Sequence, residues 1–225
     1  MKITRALISA AIFIAAFSIG GISIAGEPDE LVCDVGADYS LGTENYVDAI
    51  RLHREIVRKN PLNALAHYHL GFAEGMVGDR SGEIREYERA AALGLRIWDL
   101  FLNLGLARLE VGNLNAARDS LRKAVLFGGQ HAESHFNLAV VDERSGLLDE
   151  AERETRTSLL LSPGDSEQRN LLGEIYAEEG KIARAAEIWL ELSRDAPDYA
   201  PARRNLAILD LKNCHGRLGD CLPAR

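Results

Sequence analysis

The chain has little cysteine and proline and no excess of basic residues. Its 225 residues include 3 Cys, 6 Pro, 2 Met and 2 Trp. Three cysteines are too few for a disulfide-stapled scaffold or a four-cysteine zinc site. Acidic residues outnumber basic ones by 34 to 26, for a formal charge of −8. Because nucleic acid binding requires clustered Lys and Arg, this balance argues against a DNA or RNA partner.

The longest uncharged run lies at the N-terminus. Lys2 and Arg5 precede residues 6–25, which carry no charge, and small residues stand at the minus-three and minus-one positions before Gly26. This pattern predicts that residues 1–25 are a secretory signal peptide. The alternative is an uncleaved membrane anchor, since about twenty helical residues cover roughly 30 Å. Both alternatives export the rest of the chain, and we expect it in the periplasm, with membrane contact only through an uncleaved leader.

A repeat of 34 residues organises the rest of the chain. Within each period, apolar residues lie at helical spacing in two stretches that a recurrent glycine separates, which predicts two helices per period. Asn63 and Asp165 stand where helix N-caps are expected. Since neither helix can bury its apolar stripe alone, successive pairs must stack. The recurrent residues are Leu70, Leu104, Leu138, Leu172 and Leu206, each followed by Gly or Ala, and Gly78, Gly112, Gly146 and Gly180.

This pattern resembles the tetratricopeptide (TPR) repeat, a helix–turn–helix unit of the same length. The resemblance implies an all-α fold, a right-handed superhelical solenoid of helix pairs with a C-terminal closing helix. It departs from the family pattern at Glu83, where a small residue is usual, and at Ile56 and Leu192, which are bulkier than usual. The residues that match the family signature best are Leu172, Gly173, Tyr176, Gly180, Ala185, Trp189 and Pro197.

The resemblance also sets the predicted domain boundaries. A degenerate repeat covers residues 30–63, and residues 213–225 form a tail. Between them lie four full repeats and the closing helix, at 64–97, 98–131, 132–165, 166–199 and 200–212.

In this family the first helix of each pair forms a concave wall, which implies a binding groove. An apolar strip beside carboxylates suits a protein or peptide segment with apolar and basic residues, either extended or helical. The alternative is that the apolar residues only pack between successive first helices. Asparagines at the sixth place of a window hold a ligand backbone or reflect the repeat consensus. The predicted groove residues are Tyr68, Phe72, Asp99, Leu102, Asn103, Leu106, Leu109, Glu133, Phe136, Asn137, Val140, Glu143, Glu167 and Glu174.

The histidines do not predict a metal site. His67 and His69 point about 200° apart on a helix and cannot share an ion. His131 and His135 offer only two ligands. No phosphate loop or nucleophile elbow occurs, so we expect no catalytic residue, no metal and no cofactor.

The cysteines are expected in two different states. Cys214 and Cys221 enclose six residues of the tail and, in an exported chain, predict a disulfide. The alternative is a redox or metal pair with His215. Cys33 lies at a helix-packing position of the degenerate repeat and is expected to be a buried free thiol.

These features predict a non-catalytic adaptor or assembly scaffold that binds a partner segment outside the cytoplasm. The alternative is a self-associating module, a homodimer that uses Trp98, Tyr199 and the apolar edges of the terminal repeats. An enzyme ranks third, because no catalytic constellation is recognisable.

Overall fold

The structure is a computed structural model that describes residues 33–213. The predicted leader and the predicted Cys214–Cys221 disulfide lie outside these residues. Every regular element in the described range is a helix, which confirms the all-α fold class. The helices are α1 (Val35–Gly42), α2 (Tyr46–Lys59), α3 (Ala64–Met76), α4 (Arg80–Ala92), α5 (Trp98–Glu110), α6 (Leu114–Phe127), α7 (Ala132–Arg144), α8 (Leu148–Leu161), α9 (Ser166–Glu178), α10 (Ile182–Asp195) and α11 (Ala200–Asn213).

The helices form two compact units, an N-terminal unit up to Gly112 and a C-terminal unit from Asn113. In each unit every helix packs on the next one in the chain, and the first helices of neighbouring pairs also touch, α3 with α5 and α7 with α9. Four first helices, α3, α5, α7 and α9, begin at residues 64, 98, 132 and 166, the first residues of the four 34-residue windows. None of the helices within the described range is long and apolar enough to cross a lipid bilayer.

Capping fixes where these helices begin and end. The side chain of Asn63 accepts the Ala66 N–H at 3.0 Å, and that of Asp165 accepts the Gln168 N–H at 3.0 Å, which confirms both predicted N-caps. At the end of α7, Gly146 has a φ of +73°, a conformation that strains residues with a side chain. This conformation turns the chain out of the helix and into the second helix of the pair.

The recurrent spacing of large and small residues reflects how closely the helices approach. A Cβ atom on Gly173 would lie 2.5 Å from Trp189 Nε1, so only glycine lets α9 approach the indole ring. Trp189 belongs to a buried cluster that joins α9, α10 and α11. Leu192, bulkier than the family pattern, is fully buried in this cluster together with Leu209.

Glu83 is accommodated by a compensating glycine and an arginine. Glu83 is only 5% exposed, and its carboxylate accepts a hydrogen bond from Arg80 Nη1 at 2.5 Å. A Cβ atom on Gly75 would overlap this carboxylate, so the glycine on α3 makes room for it. Arg80 Nη1 also donates to the Gly75 carbonyl at 3.0 Å, and Arg80 pairs with Glu110, so it joins α4 to α3 and α5.

Candidate functional site

Most apolar side chains of the predicted groove are buried. Tyr68 and Leu106 are 3% exposed, Leu102 is 0% exposed, and Leu109 and Val140 are 5% exposed. In the N-terminal unit α3 contacts α5, and in the C-terminal unit α7 contacts α9, so the side chains between these first helices have little access to solvent. These five residues therefore contribute to helix packing, and the surface left for a ligand is narrower than their sequence positions predict.

Two aromatic residues of the predicted set remain partly exposed. Phe72 lies on α3, where its ring meets Tyr46 edge-on with 6.3 Å between the centroids. Phe136 lies on α7 and packs against a buried cluster that includes Val140 and Ile175. Each unit thus has one partly exposed aromatic ring among the predicted groove residues. Among the predicted carboxylates, those that are partly or fully exposed are Asp99, Glu133, Glu143, Glu167 and Glu174.

A small cavity in the N-terminal unit lies beside Phe72. Its volume of about 10 Å³ matches about one water molecule. Phe72, Asn103 and Leu106, all in the predicted groove, line it together with Tyr87. The Asn103 Nδ2 atom is buried and makes no well-aligned hydrogen bond to a described residue, although the Tyr68 hydroxyl lies within its reach. A ligand carbonyl, or a water that bridges to one, would satisfy this donor.

The equivalent asparagines of the C-terminal unit already have partners. Asn137 Nδ2 donates to the Glu133 carbonyl at 2.9 Å. Asn205 Nδ2 donates to Asn170 Oδ1 at 3.0 Å and to Glu174 Oε1 at 3.2 Å. The repeated asparagine therefore plays a structural part in this unit, in contrast to Asn103.

Tyr68 and Asp99 form a polar contact between α3 and α5. The Tyr68 hydroxyl donates to Asp99 Oδ2 at 3.4 Å. Burial, followed by the negative charge of Asp99, raises the pKa of Tyr68 well above its usual value. The Tyr68 hydroxyl therefore stays protonated at physiological pH. Its hydrogen bond to Asp99 links α3 to α5.

The C-terminal unit carries an acidic wall, which we define as Glu143 of α7 and Glu167, Glu174 and Glu178 of α9. Burial is the main cause that raises the pKa of Glu143 to about 7, and repulsion from Glu178 and Glu174 adds to it. Arg144 acts in the opposite direction but does not cancel these effects. Like charges concentrated in this way favour binding of an ammonium or guanidinium group.

Charges of the acidic wall also shift the pKa of Tyr199. Burial, followed by the charges of Glu167, Glu174 and Asp165, raises its pKa to about 12. The sequence predicts Tyr199 only as a self-association residue, and Glu178 is not among the predicted groove residues. Glu178 follows Glu174 by four residues on α9, a spacing that places both on one helix face, so this neighbour was readable from the sequence.

The chain resembles named proteins in short segments, and no protein-family model matches it. It is 32% identical over 85 residues to tetratricopeptide repeat protein 8 of Mus musculus, covering 38% of this chain and 15% of that protein. It is 29% identical over 116 residues to type IV pilus assembly protein PilF of Pseudomonas aeruginosa, covering 51% of this chain and 46% of PilF. The matches therefore span less than half the length of either relative.

A solved structure shows the same fold. The crystal structure of YrrB, a TPR protein with an unusual peptide-binding site, has a TM-score of 0.72 to this chain at 21% identity. The match covers 75% of this chain and 87% of YrrB. This likeness, with the helix pairs repeated every 34 residues, shows that the fold is that of tetratricopeptide repeats.

Proposed function

We propose that the chain, a tetratricopeptide repeat protein, is a non-catalytic adaptor. Its first helices bind a segment of another protein. Proteins of this fold are interaction scaffolds that bind protein or peptide partners. Stacked helices fix the binding surface before the partner arrives, so the protein loses little conformational entropy on binding.

The partner segment combines apolar and basic side chains. The partly exposed rings of Phe72 and Phe136 supply apolar contacts, one in each unit. The single observation that carries the proposal is the acidic wall, where burial first, and then the charges of Glu178 and Glu174, raise the pKa of Glu143 to about 7. A Lys or Arg of the partner would restore the charged form of Glu143 and gain an ion pair in a half-buried setting.

Peptide titration tests this chemistry. A labelled peptide with alternating Leu and Arg should bind, and the same peptide with Glu in place of Arg should not. Replacing two members of the wall, Glu143→Gln with Glu174→Gln, should weaken binding of the basic peptide about tenfold, or about 1.4 kcal/mol. Glu187→Gln, at an exposed position of α10, is the matched control and should leave the affinity unchanged. Equal binding of both peptides, or no effect of the double variant, would count against the acidic wall.

We place the adaptor outside the cytoplasm, in the periplasm. The charge pattern of residues 1–25 supports export, and one relative is named for assembly of the type IV pilus. Mass spectrometry of the N-terminus tests the leader. A mature chain that begins at Gly26 supports a cleaved signal peptide, a chain that retains residues 1–25 in the membrane fraction supports an anchor, and a cytoplasmic chain contradicts export.

Self-association is the second candidate, and a different surface favours it. Leu126 and Leu160 occupy the same repeat position near the ends of α6 and α8 and are 74% and 81% exposed. Phe127 and Leu161 follow them at 38% and 42% exposure. Such apolar surface favours contact with another protein, including a second copy of the chain. Sedimentation of the purified protein would support a homodimer if the mass doubles with concentration and if Leu126→Lys with Leu160→Lys abolishes the doubling.

A further inference from the structure

Three potential metal ligands converge in the N-terminal unit, and a carboxylate lies beside two of them. The potential ligand atoms of three side chains all lie within 4.8 Å of one another. They belong to the Cys33 thiol, just before α1, the His53 imidazole of α2 and the His69 imidazole of α3. Bonds of about 2.0–2.3 Å to a tetrahedral ion would place such atoms roughly 3.3–3.5 Å apart. Asp38 of α1 stands beside them, with Oδ1 at 3.2 Å from His53 Nε2 and 2.8 Å from His69 Nδ1.

His53 is oriented in the way that a metal ligand is. Its residue is fully buried, and Nδ1 lies 2.9 Å from the Ala49 carbonyl, which can only accept a hydrogen bond. Nδ1 therefore carries the proton, and in the neutral ring Nε2 presents a lone pair. That lone pair faces the Asp38 carboxylate, which is also an acceptor. Two acceptors face each other without a shared proton unless a cation lies between them or the ring is protonated.

The remaining ligands are supported by neighbouring polar groups. Asp38 Oδ2 accepts the backbone N–H of Cys33 at 2.7 Å and that of Asp34 at 3.2 Å, which leaves Oδ1 to face the histidines. Asn63 Nδ2 lies 3.5 Å from Cys33 Sγ, in position to donate to a thiolate. His69 is 9% exposed, and its Nδ1 is out of alignment for a hydrogen bond to any described residue. Hydrogen bonds of this kind orient the ligands of metal sites.

Two other buried histidines show what a purely structural histidine looks like in this fold. His67 Nδ1 lies 2.7 Å from Glu86 Oε2, and its Nε2 lies 3.1 Å from the Pro61 carbonyl. His135, two repeats later, repeats this arrangement with Glu154 at 2.7 Å and the Gly129 carbonyl at 3.1 Å. Each of these rings, like His53, has one nitrogen beside a carboxylate and the other beside a carbonyl, but among the described residues only His53 and His69 share a group of three potential ligands, with Cys33.

We propose that Cys33, His53 and His69 bind a Zn²⁺ ion, with Asp38 Oδ1 as the fourth ligand. A thiolate, two imidazoles and one carboxylate form a borderline-soft set that suits zinc better than calcium or magnesium. The Cys33 thiol releases its proton to solvent on binding, because only the thiolate is a ligand. The ion would join the segment before α1, α1 itself, α2 and α3, and so fasten the short α1 to the first full repeat.

The sequence alone predicts no metal site because it offers only histidine pairs close together in the chain. The proposed ligands are separated by 15 and 16 residues, from Asp38 to His53 and from His53 to His69, and they lie partly in the degenerate repeat and partly in the first full repeat. Their convergence depends on how α1, α2 and α3 pack.

Zinc titration of the full-length protein tests the site. Because the two tail cysteines could also bind zinc, all measurements use a protein that carries Cys214→Ser and Cys221→Ser. After chelation of bound metal, one Zn²⁺ per chain should bind, and Cys33→Ser and His69→Gln should each weaken binding about 100-fold or more. His67→Gln and His135→Gln, at the two structural histidines, are the matched controls and should keep the parental affinity.

Cobalt provides an independent readout of the thiolate. Co²⁺ in the parental site should show a thiolate-to-cobalt charge-transfer band, and Cys33→Ser should lose it. If His69→Gln loses helix content by circular dichroism, its weaker zinc binding is not informative. Cys33→Ser then tests the site, because it replaces only the sulfur atom by oxygen. The proposal is overturned if no stoichiometric zinc binds, if Cys33→Ser binds zinc as tightly as the parent, or if the cobalt complex lacks the band.

Discussion

Glu143→Gln removes a carboxylate whose ionisation the fold opposes. A rise in the pKa of Glu143 from 4.5 to about 7 corresponds, at full effect, to about 3 kcal/mol. The side chain is partly exposed, so solvent screening reduces this value, and we take about 1 kcal/mol. Between pH 4.5 and 7 the folded state binds more protons than the unfolded state, so stability falls as pH rises through this window. Above pH 7 the loss is complete and the curve levels off.

Urea unfolding of the parent protein and of Glu143→Gln from pH 4.5 to 8 measures the difference in their free energies of unfolding. At pH 4.5 the two should be equally stable, and at pH 8 the variant should be about 1 kcal/mol more stable, or about 2–4 °C higher in Tm. Glu187→Gln, on α10, serves as the control and should give a pH-independent difference. A difference between Glu143→Gln and the parent that stays constant over this range, or that favours the parent at pH 8, would refute the assignment of Glu143.

Two further variants test contacts of the C-terminal unit. Gly173→Ala should destabilise the protein by about 1–3 kcal/mol, despite the better helix propensity of alanine, because the new methyl group collides with Trp189; an unchanged Tm would contradict the close approach of α9 and α10. Arg118→Ala removes the partner of Asp142, which is 2% exposed and whose pKa is already raised, chiefly by burial. Its urea midpoint should fall by an amount equivalent to about 3 kcal/mol, and a loss below about 0.5 kcal/mol would show that Asp142 is solvated.

The fold was predictable because the repeat pattern is local and recurs several times. Leu172-Gly173 with Trp189 encodes one close contact between two helices, and the period of 34 residues tells which helices make it. Glycine at the recurrent turn position, as at Gly146, marks the end of each first helix. Asn63 and Asp165 act as N-caps, as their positions in the sequence indicate.

The candidate site was only partly predictable. Position in a window tells which way Leu102 or Leu106 points from its own helix, but their burial depends on how closely neighbouring first helices approach. The pKa of Glu143 depends on its burial and then on Glu178 and Glu174 of α9, so it reflects how two neighbouring first helices pack. Asn103 and Asn137 occupy the same window position, yet only Asn137 donates to a carbonyl of its own helix.

The convergence of Cys33, His53 and His69 had no sequence signal of its own. The first helix of the degenerate repeat is only eight residues long, and the repeat pattern is weakest there. The distance between these side chains follows from packing of three helices rather than from any spacing motif.

Site-specific photo-crosslinking in living cells tests most directly whether the first helices bind the partner. A photoreactive phenylalanine analogue at position 72 or 136 should crosslink to a partner protein, and the captured segment, mapped by mass spectrometry, should contain apolar and basic residues. The same analogue at Leu126 and Leu160 samples the apolar ends of α6 and α8. Crosslinks from positions 126 and 160 alone, or only to a second copy of this chain, would contradict partner binding on the first helices.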